Sequence, residues 1–211
     1  MSQQDIVDRL IAGQGTLFSE GMGLDLTRDS AKNYFGWLVG CTLLASRISS
    51  GLAEQAGRAL NDQGFLDPDR LAGAEYWDVV RCLNENGYAR YDESTAGYIQ
   101  ETAKMTLDRY DGDIRGMLDP DPDTVLDRLQ QAKGVGKVGA NIYAREAQIV
   151  WDVFYPRLDG PAAKEAEALG LTTDHGALAS MAGSRARFTR LAAALTRAAL
   201  DGPAPSVEDA T

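Results

Sequence analysis

One short stretch, KGVGKVGAN from Lys133 to Asn141, holds the residues with the clearest capacity for chemistry. Helical patterns run before it, from Val125 to Ala132, and after it, from Asn141 to Val150. Two helices joined through Gly134-Val135-Gly136 make a tight hairpin, because glycine permits positive φ and close backbone approach. The helix that follows presents free N–H groups at its first turn, and such a terminus binds phosphate. Lys133 and Lys137 flank the turn and add positive charge. The same residues also suit a plain helix–turn–helix corner, so the motif needs support from the rest of the chain.

Other chemistries have little to work with. The two cysteines, Cys41 in GWLVGCTLLA and Cys82 in YWDVVRCLN, sit in apolar surroundings and read as small buried side chains. With His175 the only histidine, they cannot assemble a zinc or iron–sulfur site. The net charge of −10 argues against nucleic acid at first sight, since phosphate neutralisation requires Lys and Arg. Its distribution is uneven: residues 131–200 carry nine basic against six acidic side chains, and the remainder carries 12 against 25. The basic surplus thus falls in the part that contains the hairpin. No apolar run approaches the ~18 residues of a membrane span. The N-terminus MSQQDIVDRL has neither the basic region nor the apolar core of a signal peptide, so a cytoplasmic location is expected.

The elements that must position the hairpin are helices throughout. Period-3.6 patterning predicts helices over Gln3–Ile11, over a long apolar run from Tyr34 to Ile48 that Ser30 can cap, and over Glu54–Leu60. Asp67-Pro68-Asp69 opens another, and Tyr76–Asn84 follows, closed by Asn86-Gly87. Ser94–Tyr110 is the longest, with turns at Asp111-Gly112-Asp113 and at Asp119 to Pro122 before the hairpin. Ala162–Leu169 and Arg185–Leu200 complete the set, and the proline-containing tail from Asp201 is expected to fray. The chain reads as all-α, without an internal repeat.

The hairpin and its surroundings resemble the endonuclease III superfamily of helix-hairpin-helix DNA glycosylases. Gly134, Val135, Gly136, Ala140 and Asn141 match the family hairpin, while Ala132 and Lys133 replace its Leu-Pro. Further similarities follow in family order: LLASRISSGLAEQAGRAL from Leu43, GYARYDESTAGYI from Gly87, YDGDI from Tyr110 and LDGPAAKEAEALGL from Leu158. The resemblance runs from about Tyr34 to Leu171. It implies a single two-lobed domain with a DNA-binding cleft between the lobes. Residues 30–130 would form the main part of one lobe, residues 1–29 and 131–200 the other with the hairpin, and 201–211 a tail.

The same resemblance implies a base-excision glycosylase acting on double-stranded DNA, with Asp159 as the catalytic carboxylate. That group would stabilise the positive charge on the sugar as the base leaves, a task carboxylates perform in sugar hydrolysis generally. Asp159-Gly160-Pro161 is equally a good helix cap. Val138 stands where bifunctional members carry a Schiff-base lysine, and Lys137 is one residue early, turned about 100° away. A monofunctional enzyme using water is therefore expected. By position, the hairpin residues Lys133 through Gly139 (Lys133, Gly134, Val135, Gly136, Lys137, Val138, Gly139) would contact DNA. Arg47 and Tyr88 would fill the gap left by an extruded nucleotide; Tyr88 equally suits a core aromatic, and Arg47 an ion pair with a nearby acid. Main-chain carbonyls of Gln130, Ala132 and Val135 would hold a monovalent cation, K+ or Na+, and the iron–sulfur loop is absent. Arg185, Arg187 and Arg190 form either a solvated stripe or a phosphate contact. A nucleoid-associated monomer is expected. The acidic charge and missing lysine favour the alternative, a non-catalytic protein that recognises lesions or distorted duplex.

Overall fold

Polar caps and prolines mark where many of the described helices begin, though Ser30, expected to cap the helix Ala31–Leu44, makes no side-chain cap hydrogen bond. In the computed structural model, which describes residues 2–208, there is no strand among those residues. The helices are α1 (Gln3–Gln14), α2 (Phe18–Gly21), α3 (Ala31–Leu44), α4 (Ser50–Asp62), α5 (Pro68–Ala72), α6 (Tyr76–Glu85) and α7 (Asp92–Tyr110). They continue with α8 (Pro122–Leu129), α9 (Lys137–Ala147), α10 (Gly160–Ala168), α11 (His175–Ala182), α12 (Arg185–Asp201) and α13 (Pro205–Glu208). Single 3₁₀ turns occur at Ile114–Met117 and Asp152–Phe154. Ser2, Ser49, Asp67, Asp121, Asp159, Asp174 and Ser184 each accept a first-turn N–H with the side chain. Prolines stand in the first turns of α5, α8 and α10, where a missing N–H costs nothing.

The chain divides into two units. The first joins Met1–Phe18 to Ala144–Thr211, and the second spans Ser19–Tyr143. In the first unit, α12 is the central element. Phe188, Leu191, Ala192 and Leu195 are fully buried in one cluster with Val7 and Leu10 of α1 and Ala162 and Ala166 of α10. In the second, α3 is buried without interruption from Tyr34 to Leu43, and its Trp37 indole N–H donates to the Tyr143 carbonyl at 3.2 Å. A helix apolar all round has to be the one its neighbours wrap.

The expected all-α class holds, while several expected boundaries move. Helix α3 stops at Leu44 rather than Ile48, because Ser46, Arg47 and Ser49 begin a turn. Helix α9 starts four residues before the expected Asn141, which puts Lys137 and Val138 in its first turn. The hairpin was expected to group with residues 1–29 in a lobe that takes in 131–200. It belongs instead to the unit that ends at Tyr143, because its turn packs on α3 and α7. Helix α11 was not foreseen. The tail is also corrected: Val207 is fully buried in the first unit's core, and Arg9 donates to the Ser206 carbonyl at 2.8 Å.

Candidate nucleic-acid interface

The hairpin turn runs from Gln130 to Gly136 between α8 and α9. The Val135 N–H donates to the Ala132 carbonyl at 3.0 Å, and the Ala140 N–H donates to the Gly136 carbonyl at 3.0 Å. Gly134 between these bonds has φ +81°. A Cβ at that position would lie 2.9 Å from Tyr98 Cδ2 and 3.0 Å from Thr42 Cγ2. Both backbone conformation and space therefore demand glycine at 134. Val135 is buried beneath the turn and Gly139 is buried against it, so these two anchor the hairpin and do not face solvent.

The other face of the turn is bare. A Cβ added at Gly136 would meet nothing within 4 Å, leaving room for another molecule's backbone to approach. Lys133, Lys137 and Val138 are exposed, Val138 by 64%. The first-turn amides of α9, from Lys137 onward, have no acceptor within the helix by construction. The Lys133 ammonium lies 5.8 Å from the centre of the Tyr98 ring. One main-chain oxygen expected to hold a cation, that of Ala132, already closes the turn and keeps one lone pair for an ion.

Beside the turn is a cleft of about 210 Å³, lined by Gly134 together with Tyr98, Tyr91 and Ser94 from α7 and its start, and Thr42 and Ser46 around the end of α3. Tyr91 and Tyr98 were not singled out from the sequence. Their spacing of seven, with Tyr98 inside the expected Ser94–Tyr110 helix and Tyr91 just before it, was the available signal. Arg47 is exposed in the turn after α3. Tyr88 is not: it is fully buried, its hydroxyl donating to Ser46 Oγ at 2.7 Å and approaching the Leu43 carbonyl at 3.2 Å. Burial raises its phenol pKa, with hydrogen bonds to Ser46 and Thr95 opposing that. The expected DNA wedge at Tyr88 is thus corrected to a core anchor of the loop.

Asp159 lies in the first unit and is only 6% exposed. One carboxylate oxygen accepts the Ala162 N–H at 3.3 Å and caps α10; the other takes an ion pair from Arg145 at 2.8 Å. Arg145 is as deeply buried, donates also to Thr196 Oγ1 at 3.3 Å, and stacks 4.8 Å from the Phe18 ring. Arg145 was not singled out from the sequence, where it is one of two adjacent charges inside IYAREAQIV. The late arginines are engaged too: Arg185 pairs with Asp152, Arg187 with Asp8, and Arg190 donates to the Gly15 carbonyl at 3.0 Å. They form no bare cationic stripe.

Among the described residues no group of three His, Cys, Asp or Glu side chains is placed to hold a metal, and no helix is long and apolar enough to cross a membrane. Comparison with known protein families, with curated proteins and with solved structures finds no match.

Proposed function

We propose that this chain binds double-stranded DNA in the manner of the helix-hairpin-helix glycosylases, seating a backbone phosphate on the turn between α8 and α9. The observation that carries the reading is the two-sided construction of that turn. Gly134 is locked inward on Thr42 and Tyr98, while Gly136 and the start of α9 are open between two exposed lysines. Backbone N–H groups at a helix start, with lysines beside them, recognise phosphate without reading sequence. A monovalent cation held by the carbonyls of Gln130, Ala132 and Val135 would add charge at the same place. The lesion-recognising form of this reading fits best, because the carboxylate that hydrolysis would need is engaged elsewhere.

The second reading is monofunctional base excision by Asp159, and its position at the start of α10 favours it. In that form Asp159 faces the sugar as the base departs, and water supplies the nucleophile because Val138 offers no amine. The Arg145 guanidinium cancels the charge this task requires, so hydrolysis depends on that pair opening when DNA binds.

Affinity for three duplexes at one salt concentration tests both readings: intact, carrying a neutral abasic mimic, and carrying a cationic azasugar mimic. Hairpin binding predicts measurable affinity for all three that falls steeply with salt. Tighter binding of the cationic mimic that disappears in Asp159→Asn selects the glycosylase. Tighter binding of both abasic mimics than of the intact duplex, alike for the two, selects the non-catalytic lesion-recognising protein. Equal affinity for all three leaves only a general DNA binder, and no binding removes both readings.

A further inference from the structure

We infer that the cleft beside Gly134 takes one unpaired nucleotide of a DNA strand, with its base stacked on Tyr98 and its phosphate drawn toward Lys133. This rests on the hairpin reading and deepens it by naming what the turn delivers into the neighbouring space.

Two aromatic rings line the cleft, and each carries a cation. Tyr98 lies 5.8 Å from the Lys133 ammonium, and Tyr91 lies 5.3 Å from the Arg90 guanidinium. Tyr91 stands immediately before α7 and Tyr98 lies in its second turn, and both rings line the cleft. Pairing a stacking surface with a nearby cation is how proteins hold single-stranded nucleic acid: the ring takes the base and the charge takes the phosphate. That combination stands out on a chain with a net charge of −10.

Tyr98 is not a core residue that merely reaches the surface. It remains 37% exposed, and its edge meets the Gly134 backbone closely enough that a Cβ there would collide with it. The ring is thereby fixed against the turn proposed to hold phosphate. Base and phosphate of one nucleotide would then be received by adjacent residues of one unit.

Size and polarity narrow the occupant. At about 210 Å³ the cleft is smaller than the ~300–1,000 Å³ of sites for drug-sized ligands, and suits a single ring system. Its floor carries the hydroxyls of Thr42, Ser46 and Ser94, which donate to the Leu38, Thr42 and Tyr91 carbonyls. Such a floor accommodates the polar edge of a base better than an aliphatic side chain. A paired base cannot enter, because its ring is stacked within the duplex and its edge is occupied. The nucleotide has to be a bulge, a mismatch loop or an extruded position.

The experiment uses the full chain and three probes at one salt concentration. They are a perfectly paired duplex, the same duplex with one unpaired purine bulge, and a short single strand containing that purine. We expect the bulged duplex to bind about tenfold more tightly than the paired one, within the range that stacking a base on an aromatic ring supplies. Tyr98→Ala should remove that preference, lowering bulged-duplex affinity about tenfold more than paired-duplex affinity, while Tyr98→Phe keeps it. An unchanged circular dichroism spectrum certifies the variants. Paired-duplex binding without a bulge preference, or a preference that survives Tyr98→Ala, overturns this inference and leaves the hairpin reading standing. Failure of all three probes to bind removes the hairpin reading and the subsite with it.

Discussion

Around the hairpin, polar groups are turned outward and left for something else to satisfy; around Asp159 they are turned on one another. Lys133, Lys137 and the first turn of α9 face solvent over a backbone with nothing above Gly136. Arg145 and Asp159 lie at 3% and 6% exposure, joined at 2.8 Å and capped by Ala162 and Thr196. Exposed cations cost little to maintain and gain much from a phosphate. A buried pair has already met its desolvation cost and gains nothing further unless it opens. On the proposed reading the first region serves a ligand and the second the fold, so the two should respond differently to the same kind of substitution.

The largest effect is expected at the buried pair. Arg145→Met leaves the Asp159 carboxylate without its counter-charge and should cost about 3–5 kcal/mol in urea unfolding. Asp159→Asn leaves the guanidinium exposed to the same penalty. The double variant should recover part of the loss, since removing both charges avoids an uncompensated one. DNA affinity per folded molecule should hardly change. A stabilised Asp159→Asn protein would reverse the assignment, because a carboxylate held at the expense of stability is the mark of a functional group.

Gly134→Ala comes next, and it should strike the other region. The substitution forces a side chain into positive φ and into Tyr98 and Thr42, at a cost of about 1–3 kcal/mol. Duplex affinity should fall at least about tenfold, because the turn that aims the α9 amides is displaced; electrophoretic shift or anisotropy measures it. Affinity that survives would separate DNA binding from the hairpin.

These two regions were not equally legible. The hairpin announced itself because its signal is local: two glycines, flanking lysines and helical patterns on either side all lie within one stretch. The α9 boundary was misplaced because Gly139 and Val138 are poor helix formers, and packing on α3 overrode propensity. Asp159 was legible as a cap from Gly160-Pro161, yet its ion pair was not. Arg145 lies 14 residues away, and nothing in its neighbours shows that the helix turns it inward. Tyr88 misled for the same reason, since a loop position gives no sign that the side chain folds back beneath α3. The tail looked frayed from its prolines, whereas Val207 is held by the same core that α1 and α12 build.

A smaller and more selective effect is expected from the paired variant Lys133→Gln with Lys137→Gln. Both side chains are exposed, so stability should stay within about 0.5 kcal/mol. The slope of log affinity against log salt should drop by about one for each lysine that contacts a phosphate. A parallel loss of affinity at every salt concentration would instead mean that the lysines act through hairpin shape.

The gentlest change is also the most diagnostic. Val138 exposes 64% of its surface in the first turn of α9, so Val138→Lys removes no packing and should leave stability within about 0.5 kcal/mol. By the resemblance proposed for the hairpin, its amine would stand where bifunctional glycosylases carry theirs. Given a duplex with an abasic site, that amine can attack the aldehyde carbon of the ring-opened sugar, lose water to form an imine, and be fixed by borohydride reduction of the C=N bond. The Lys133→Gln, Lys137→Gln background removes competing amines at the turn. A reduced adduct that depends on Lys at 138 means that the start of α9 meets the sugar of an extruded nucleotide, as a glycosylase requires. Unchanged binding with no adduct means that this turn touches phosphate alone. Asp159 would then keep only its place beneath Arg145, and the difference between the two regions would be that between a DNA grip and a structural pair.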